Sequence, residues 1–130
     1  MSGIKAPLIG IDLVDPERLR ERLQRTPGLD QELFLPGELE YCRRQAEPAQ
    51  HLAARFAAKE AVVKALGIDG FDPLEIEVLA GGEQTELRLH GDVAARAATF
   101  NVEVRISLTH LPAIAGAVAL ATPRSPQKNT

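Results

Sequence analysis

The stretch from Leu52 to Leu66, LAARFAAKEAVVKAL, has helical spacing, and its only charged residues are Arg55, Lys59, Glu60 and Lys64. A surface helix normally keeps one continuous polar face. Here, at roughly 100° per residue, alanines 53, 54, 57, 58, 61 and 65 cover the side opposite a bulky stripe of Leu52, Phe56, Val63 and Leu66. The helix must therefore be packed over most of its circumference, with the rest of the chain folded around it. Lys59 falls within the bulky stripe, and Glu60 and Lys64 share one edge. Burying an unpaired charge is costly, so these groups need partners or a ligand. One solution pairs Glu60 with Lys64 at i, i+4 while Lys59 reaches out to water along its methylene stem. The other brings partners from elsewhere in the chain.

The remaining patterns supply the wrapping. Pro7 to Val14 reads as a short apolar strand interrupted by Asp12, and Asp15-Pro16-Glu17 then caps and opens a first helix that ends near Arg25, before Thr26-Pro27-Gly28. A short helical or irregular piece spans Leu29 to Leu35. Pro36-Gly37-Glu38 opens a second helix carrying Leu39, Tyr41 and Cys42, and Ala46-Glu47-Pro48 interrupts it. The long helix runs from about Pro48 to Leu66, with Gly67 closing it.

Beyond Gly67 the period changes to two. Leu74, Ile76, Val78 and Ala80, a Gly81-Gly82 turn, then Leu87 and Leu89 predict a hairpin. Asp92 caps a short helix to Phe100. Val102, Val104, Ile106 and Leu108 mark a strand, and Ile114 to Ala121, apolar on both faces, marks a last strand that should be central in its sheet. The order predicts an α+β fold: a single compact domain over residues 1–122 with an antiparallel sheet packed on the long central helix, and a disordered tail over 123–130.

A chain of 130 residues, 45% hydrophobic and 25% charged, suits one core. Its formal net charge of −3 argues against a protein that coats nucleic acid, because that binding neutralises many phosphates with Lys and Arg. There is no signal-type apolar run and no stretch of eighteen apolar residues, so a soluble, cytoplasmic protein without membrane attachment is expected. The single cysteine, Cys42, excludes an intramolecular disulfide and reads as a core thiol.

Asp12 is a lone carboxylate among Leu8, Ile9, Ile11, Leu13 and Val14. If the first strand lies beside the long helix, Asp12 and Glu60 meet as two oxygen ligands with lysines close by. Such a pair binds Mg²⁺ while leaving room for water and phosphate oxygens, and Lys59 and Lys64 would neutralise those phosphates. The spacing alone leaves a second role open for Asp12, as a cap or turn carboxylate at a strand end.

Ile9-Gly10-Ile11-Asp12-Leu13-Val14 resembles the GIDIV-type opening of the bacterial holo-acyl-carrier-protein synthases. Arg55-Phe56-Ala57-Ala58-Lys59-Glu60-Ala61-Val62-Val63-Lys64 resembles their RFAAKEA-x-x-K signature. Leu35-Pro36-Gly37-Glu38-Leu39-Glu40-Tyr41-Cys42 is similar to their LT-x-x-E-L-x-Y-C helix, and Ser107-Leu108-Thr109-His110 to the end of their S-(I or L)-S-H strand. Each motif is weak alone, but four in order, spread over nearly the whole chain up to Ala121, are strong together.

The resemblance implies transfer of 4′-phosphopantetheine from coenzyme A to a serine of an apo acyl carrier protein, for fatty acid or polyketide synthesis, with release of adenosine 3′,5′-bisphosphate. It assigns Asp12 and Glu60 to Mg²⁺, and makes Asp12, Glu60 and Lys64 the catalytic set, with Lys64 on the phosphates. Arg55, Lys59, Lys64 and His110 would hold coenzyme A. A homotrimer with active sites between protomers is implied as well.

Residue pattern and resemblance agree on a docking surface. Arg18, Arg22 and Arg25 form a basic stripe opposite Leu19 and Leu23, suited to an acidic carrier protein, with Glu21–Arg25 pairing on a solvated face as the alternative. Departures from the family pattern are Thr109 in place of serine, Leu111-Pro112 after His110, and a glycine-rich stretch reduced to Gly67-Ile68-Asp69-Gly70. Two other functions compete. A non-catalytic carrier-binding module would not need Asp12, Glu60 and Lys64 together, and another Mg²⁺-dependent phosphate enzyme would use water as acceptor.

Overall fold

The structure, a computed structural model, describes residues 3–79 and 85–125. In chain order it runs β1 (Leu8–Val14), α1 (Pro16–Arg25), α2 (Leu29–Leu33), α3 (Pro36–Arg43), α4 (Pro48–Leu66), a 3-10 turn (Pro73–Glu75), β2 (Ile76–Leu79), β3 (Glu86–Leu89), α5 (Gly91–Phe100), β4 (Val102–His110) and β5 (Ala115–Pro123). Two antiparallel sheets form, one of order β1-β5-β4 and a separate ribbon of β2 and β3. The apolar last strand is central, as its composition requires.

α4 lies across the inner face of the three-stranded sheet, in contact with β1, β5 and β4, while α1, α3, β2 and α5 also pack against it and Lys64 stays exposed at one edge. Alanines 53, 54, 57, 58, 61 and 65 are buried, and so are Ala115, Ala117, Ala119 and Ala121 of β5. Small side chains on both surfaces let helix and sheet approach closely. The approach is close at Gly10, where an added Cβ would lie 2.0 Å from the Ala61 carbonyl oxygen and 2.7 Å from the Ala65 nitrogen. Even-numbered residues of β1 thus face α4 and odd-numbered ones face outward.

Helix ends follow the sequence in part. The Asp15 carboxylate accepts hydrogen bonds from the Glu17 and Arg18 amides at 2.9 and 3.2 Å, capping α1. Gly67 takes a left-handed conformation after α4, and Arg96 donates to the Leu66 and Gly67 carbonyls there.

Three boundaries differ. Leu74 belongs to a 3-10 turn instead of the strand, because Pro73 and the Asp72 side chain, which accepts from the Leu74 amide, set a turn first. α5 is capped not by Asp92 but from outside, by Glu75, whose carboxylate accepts from the Val93 amide at 3.1 Å. Pro123 still pairs with Val102, and Arg124 bonds to the Asn101 and Val102 carbonyls, so ordered structure extends past residue 122. The Gly81-Gly82 turn and residues 126–130 of the expected tail lie outside the described residues.

Candidate active site

β1 carries Asp12 to the edge of α4. Lys64 donates to the Asp12 carboxylate at 3.0 Å and to the Ile11 carbonyl at 3.1 Å. Lys64 therefore pairs across elements, and a Glu60–Lys64 bridge is not among the ion pairs of the described residues. Asp12 keeps only 18% of its side chain exposed. Glu60 shares the cleft, and its carboxyl is pushed above the ordinary carboxylate value, first by burial and then by the Asp12 charge, with Lys64 acting in the opposite sense. Two carboxylates thus share one partly buried cleft, and the charge of Asp12 acts on Glu60.

The cleft of about 370 Å³ that contains this pair is lined by Asp12 and Glu60, by Phe56, and by Arg18 and Arg22 of α1. Arg18, Arg22 and Arg25 are all exposed, and Glu21 makes no ion pair among the described residues; Glu17 pairs with Arg20 instead. Carboxylate pair and basic stripe therefore meet at one opening.

Arg55 and His110 line no part of that cleft. On α4, Arg55 stands about 140° around the axis from Glu60 and about 180° from Lys64. It is 5% exposed, its guanidinium lies 4.5 Å from the centre of the Tyr41 ring, and its Nε is buried without a partner. His110, at the end of β4, has Nδ1 2.8 Å from the Gln50 side-chain oxygen, and its ring centre lies 4.6 Å from that of His51. One side of α4 thus carries carboxylates and Lys64, and the other carries a cationic, aromatic cluster.

Lys59 departs from both expectations for it. It neither reaches water nor faces a ligand: it is fully buried, and its three N–H groups donate to Glu38 at 2.7 Å, the Leu33 carbonyl at 2.8 Å and the Pro73 carbonyl at 3.0 Å. Burial lowers its pKa and the Glu38 charge opposes that. Its donors are spent inside the fold, so its role is structural. Glu38 is equally committed, accepting also from the Leu35 amide at the start of α3 and from the Val78 amide on β2.

Sequence patterns did not single out Glu38 as the counter-ion, although a buried lysine demands one and Glu38 sits at the third position of a helix with no other cap. His51 and Gln50 were missed as well, and for His51 a signal exists: it precedes Arg55 by one helical turn. Cys42 is a core thiol, fully buried and raised to about 11 chiefly by desolvation.

A helix enclosed by an antiparallel sheet, with paired carboxylates and a lysine at their junction and arginines at the rim, defines a small α+β domain suited to binding a hard cation and phosphate groups. A family model described as the 4′-phosphopantetheinyl transferase superfamily matches residues 8–120, and the chain belongs to that family. A holo-acyl-carrier-protein synthase of Streptomyces avermitilis is 44% identical over 117 residues, covering 87% of this chain and 94% of that protein. One of Moorella thermoacetica is 41% identical over 116 residues, covering 85% and 90%. Among solved structures, a Chronobacterium ammoniagenes ACPS–CoA complex superposes with a TM-score of 0.81 at 30% identity, covering 93% of this chain and all of that one. The acyl carrier protein synthase of Mycobacterium tuberculosis does so with a TM-score of 0.72 at 33% identity, covering 90% and 97%.

Proposed function

We propose that this protein is a Mg²⁺-dependent holo-acyl-carrier-protein synthase of the cytoplasm, moving 4′-phosphopantetheine from coenzyme A to the serine of an apo acyl carrier protein. The observation that carries the reading is the single cleft in which Asp12 and Glu60 meet Arg18 and Arg22. A site for a diphosphate-bound cation and a surface for an acidic protein open onto each other.

The donor set fits the ion. No group of three or more His, Cys, Asp or Glu side chains that could hold a metal occurs among the described residues. Asp12 and Glu60 would supply two oxygen ligands and leave the other positions to water and phosphate oxygens, as Mg²⁺ prefers. Bound there, the ion would supply Lewis-acid withdrawal of charge from the diphosphate.

The chain's own groups do the rest. Lys64 has used two of its three donors on Asp12 and the Ile11 carbonyl, and the third is available to a phosphate oxygen on which charge develops. Arg18, Arg22 and Arg25 hold the carrier, and Arg55 and His110 take the nucleotide end of coenzyme A. Glu60, with its carboxyl raised by burial, is one candidate to take the serine proton, and a water held beside it is the other, since a cation on the same carboxylate would weaken it as a base.

The two halves lie on opposite sides of α4, which suits a site completed by a neighbouring protomer. An apolar surface for that assembly exists. Ile9, Ile11 and Leu13 on β1 and Val118 and Leu120 on β5 are 36–69% exposed on the outer face of the sheet, in adjoining rows. A homotrimer built on that face is the arrangement proposed.

The test is intact mass spectrometry of apo acyl carrier protein incubated with this protein, coenzyme A and Mg²⁺, with EDTA and enzyme-free controls. A metal-dependent gain of about 340 Da, the phosphopantetheine group, is expected. It should be abolished in Asp12→Ala and Glu60→Ala, and Arg18→Glu should raise the KM for carrier far more than that for coenzyme A. No gain with several carriers would overturn the reading.

A further inference from the structure

His51 belongs to no motif of the family resemblance, yet it sits at the centre of the cationic cluster. Its ring is tilted by 58° against His110 with centres 4.6 Å apart, and it stands edge-on to Tyr41 at 6.2 Å. One turn along the helix, Arg55 is 95% enclosed with Nε unsatisfied, and its bond to the His51 carbonyl is long, at 3.4 Å. Buried polar atoms in folded proteins nearly always have partners, so a lone buried guanidinium N–H on a side chain that stacks on the same Tyr41 ring as His51 marks a place for an acceptor from outside the chain. With three cationic or protonatable groups around it, that acceptor is an anion, and a phosphate oxygen matches both the charge and the geometry of the guanidinium.

We propose that His51 is a further substrate-binding residue, which takes up a proton when a phosphate of coenzyme A enters beside Arg55, so that this site's affinity is set by pH. The inference rests on the coenzyme A reading above. The groups that face the ring are Tyr41 from α3, Arg55 from its own helix and His110 from β4, and the charges that act on it are those of His110 and Arg55, with no carboxylate among them. Without ligand, burial first and then these two neighbours hold His51 below the ordinary histidine value, which keeps it neutral near pH 7. A phosphate reverses the balance, since an anion within hydrogen-bonding reach favours the imidazolium. Binding then draws a proton from solution onto His51, and affinity falls as pH rises through the His51 value of the bound state. Below about pH 6 the phosphate monoester itself protonates, which bounds the window on the acid side.

Histidine NMR on the full chain tests this directly. The sequence has three histidines, and His90, paired with Glu77 on the β2–β3 ribbon, is an internal reference. Adding coenzyme A should raise the titration midpoint of His51 and leave that of His90 in place. The affinity for coenzyme A should weaken roughly three- to tenfold between about pH 6.5 and about pH 8. In His51→Phe, which keeps a ring against His110 but carries no proton, the two affinities should converge. A role in packing alone predicts the same pH dependence in wild type and His51→Phe. 3′-Dephospho-coenzyme A in a parallel titration identifies which phosphate is responsible. A His51 midpoint that stays or falls while coenzyme A binds would overturn the inference and leave the transferase reading intact. Absence of coenzyme A binding at any pH would overturn both.

Discussion

At Lys59 the fold accepts an ammonium that water cannot reach, and Glu38, Leu33 and Pro73 replace the lost hydration bond for bond. Such a pair adds little net stability, because desolvation of both ions offsets their attraction, but removing one partner leaves the other charge bare. Glu38→Gln should therefore cost about 3–5 kcal/mol in urea denaturation. Adding Lys59→Met to that variant should recover much of the loss, a coupling that a ligand-binding lysine would not show. Glu60 behaves in the opposite way. Its carboxyl is raised in the folded protein, so the folded state binds its proton more tightly than the unfolded state and stability falls as pH rises from the ordinary carboxylate range through the folded value. At neutral pH that cost is fully present. Glu60→Gln should raise the melting temperature of the metal-free protein by about 1–3 °C at pH 7, leave it unchanged below about pH 4, and abolish transfer. A lower melting temperature at pH 7 would mean that Glu60 is a structural acid.

Between elements, the junction of β1 and α4 sets the site, and Gly10 sets the junction. A methyl group there meets backbone atoms of α4, which cannot step aside as a side-chain tip can. Gly10→Ala should cost about 3 kcal/mol or more and loosen the Asp12–Lys64 contact two residues on, so activity should fall beyond what the unfolded fraction explains. Full activity in the folded fraction would separate the junction from the chemistry. Much of this architecture is legible in the order of the amino acids. A wheel that is apolar except for four charges dictates that most of α4 is buried, and Asp12 inside an apolar strand points to a partner on that helix. Partners that reach across distant elements escape such reasoning. Nothing local in Leu35–Cys42 says that Glu38 faces Lys59, and nothing around Asp92 says that Glu75 arrives first to cap α5. The hydrogen bonds that decide both depend on how α3 and the 3-10 turn pack, a tertiary outcome with no periodicity to betray it. His51 is an intermediate case, visible at i, i+4 from Arg55 but meaningful only once β4 delivers His110 to it.

For the whole molecule, the placement of the candidate residues on opposite sides of α4 bears on the proposed homotrimer. If one protomer supplies Asp12, Glu60 and Lys64 and its neighbour supplies Arg55 and His110, a chain deficient in one half can serve the other. Asp12→Ala and Arg55→Ala should each be inactive alone, but co-refolded in equal amounts they should regain activity, because random assortment gives about one site in four with both halves intact. The recovery should depend on the outer face of the sheet. Val118→Asp places a charge in the middle of the apolar rows, opposite Ile11 on one side and Ser107 on the other, where a neighbouring copy would have to bury it unpaired. That variant should sediment as a folded monomer, since Val118 points away from α4 and the core, and it should lose both its own activity and the capacity to complement. No recovery on co-refolding the two variants, or full activity in a monomeric Val118→Asp protein, would show that coenzyme A and the carrier serine meet within one chain, and α4 would then have to bring its two sides to a single ligand.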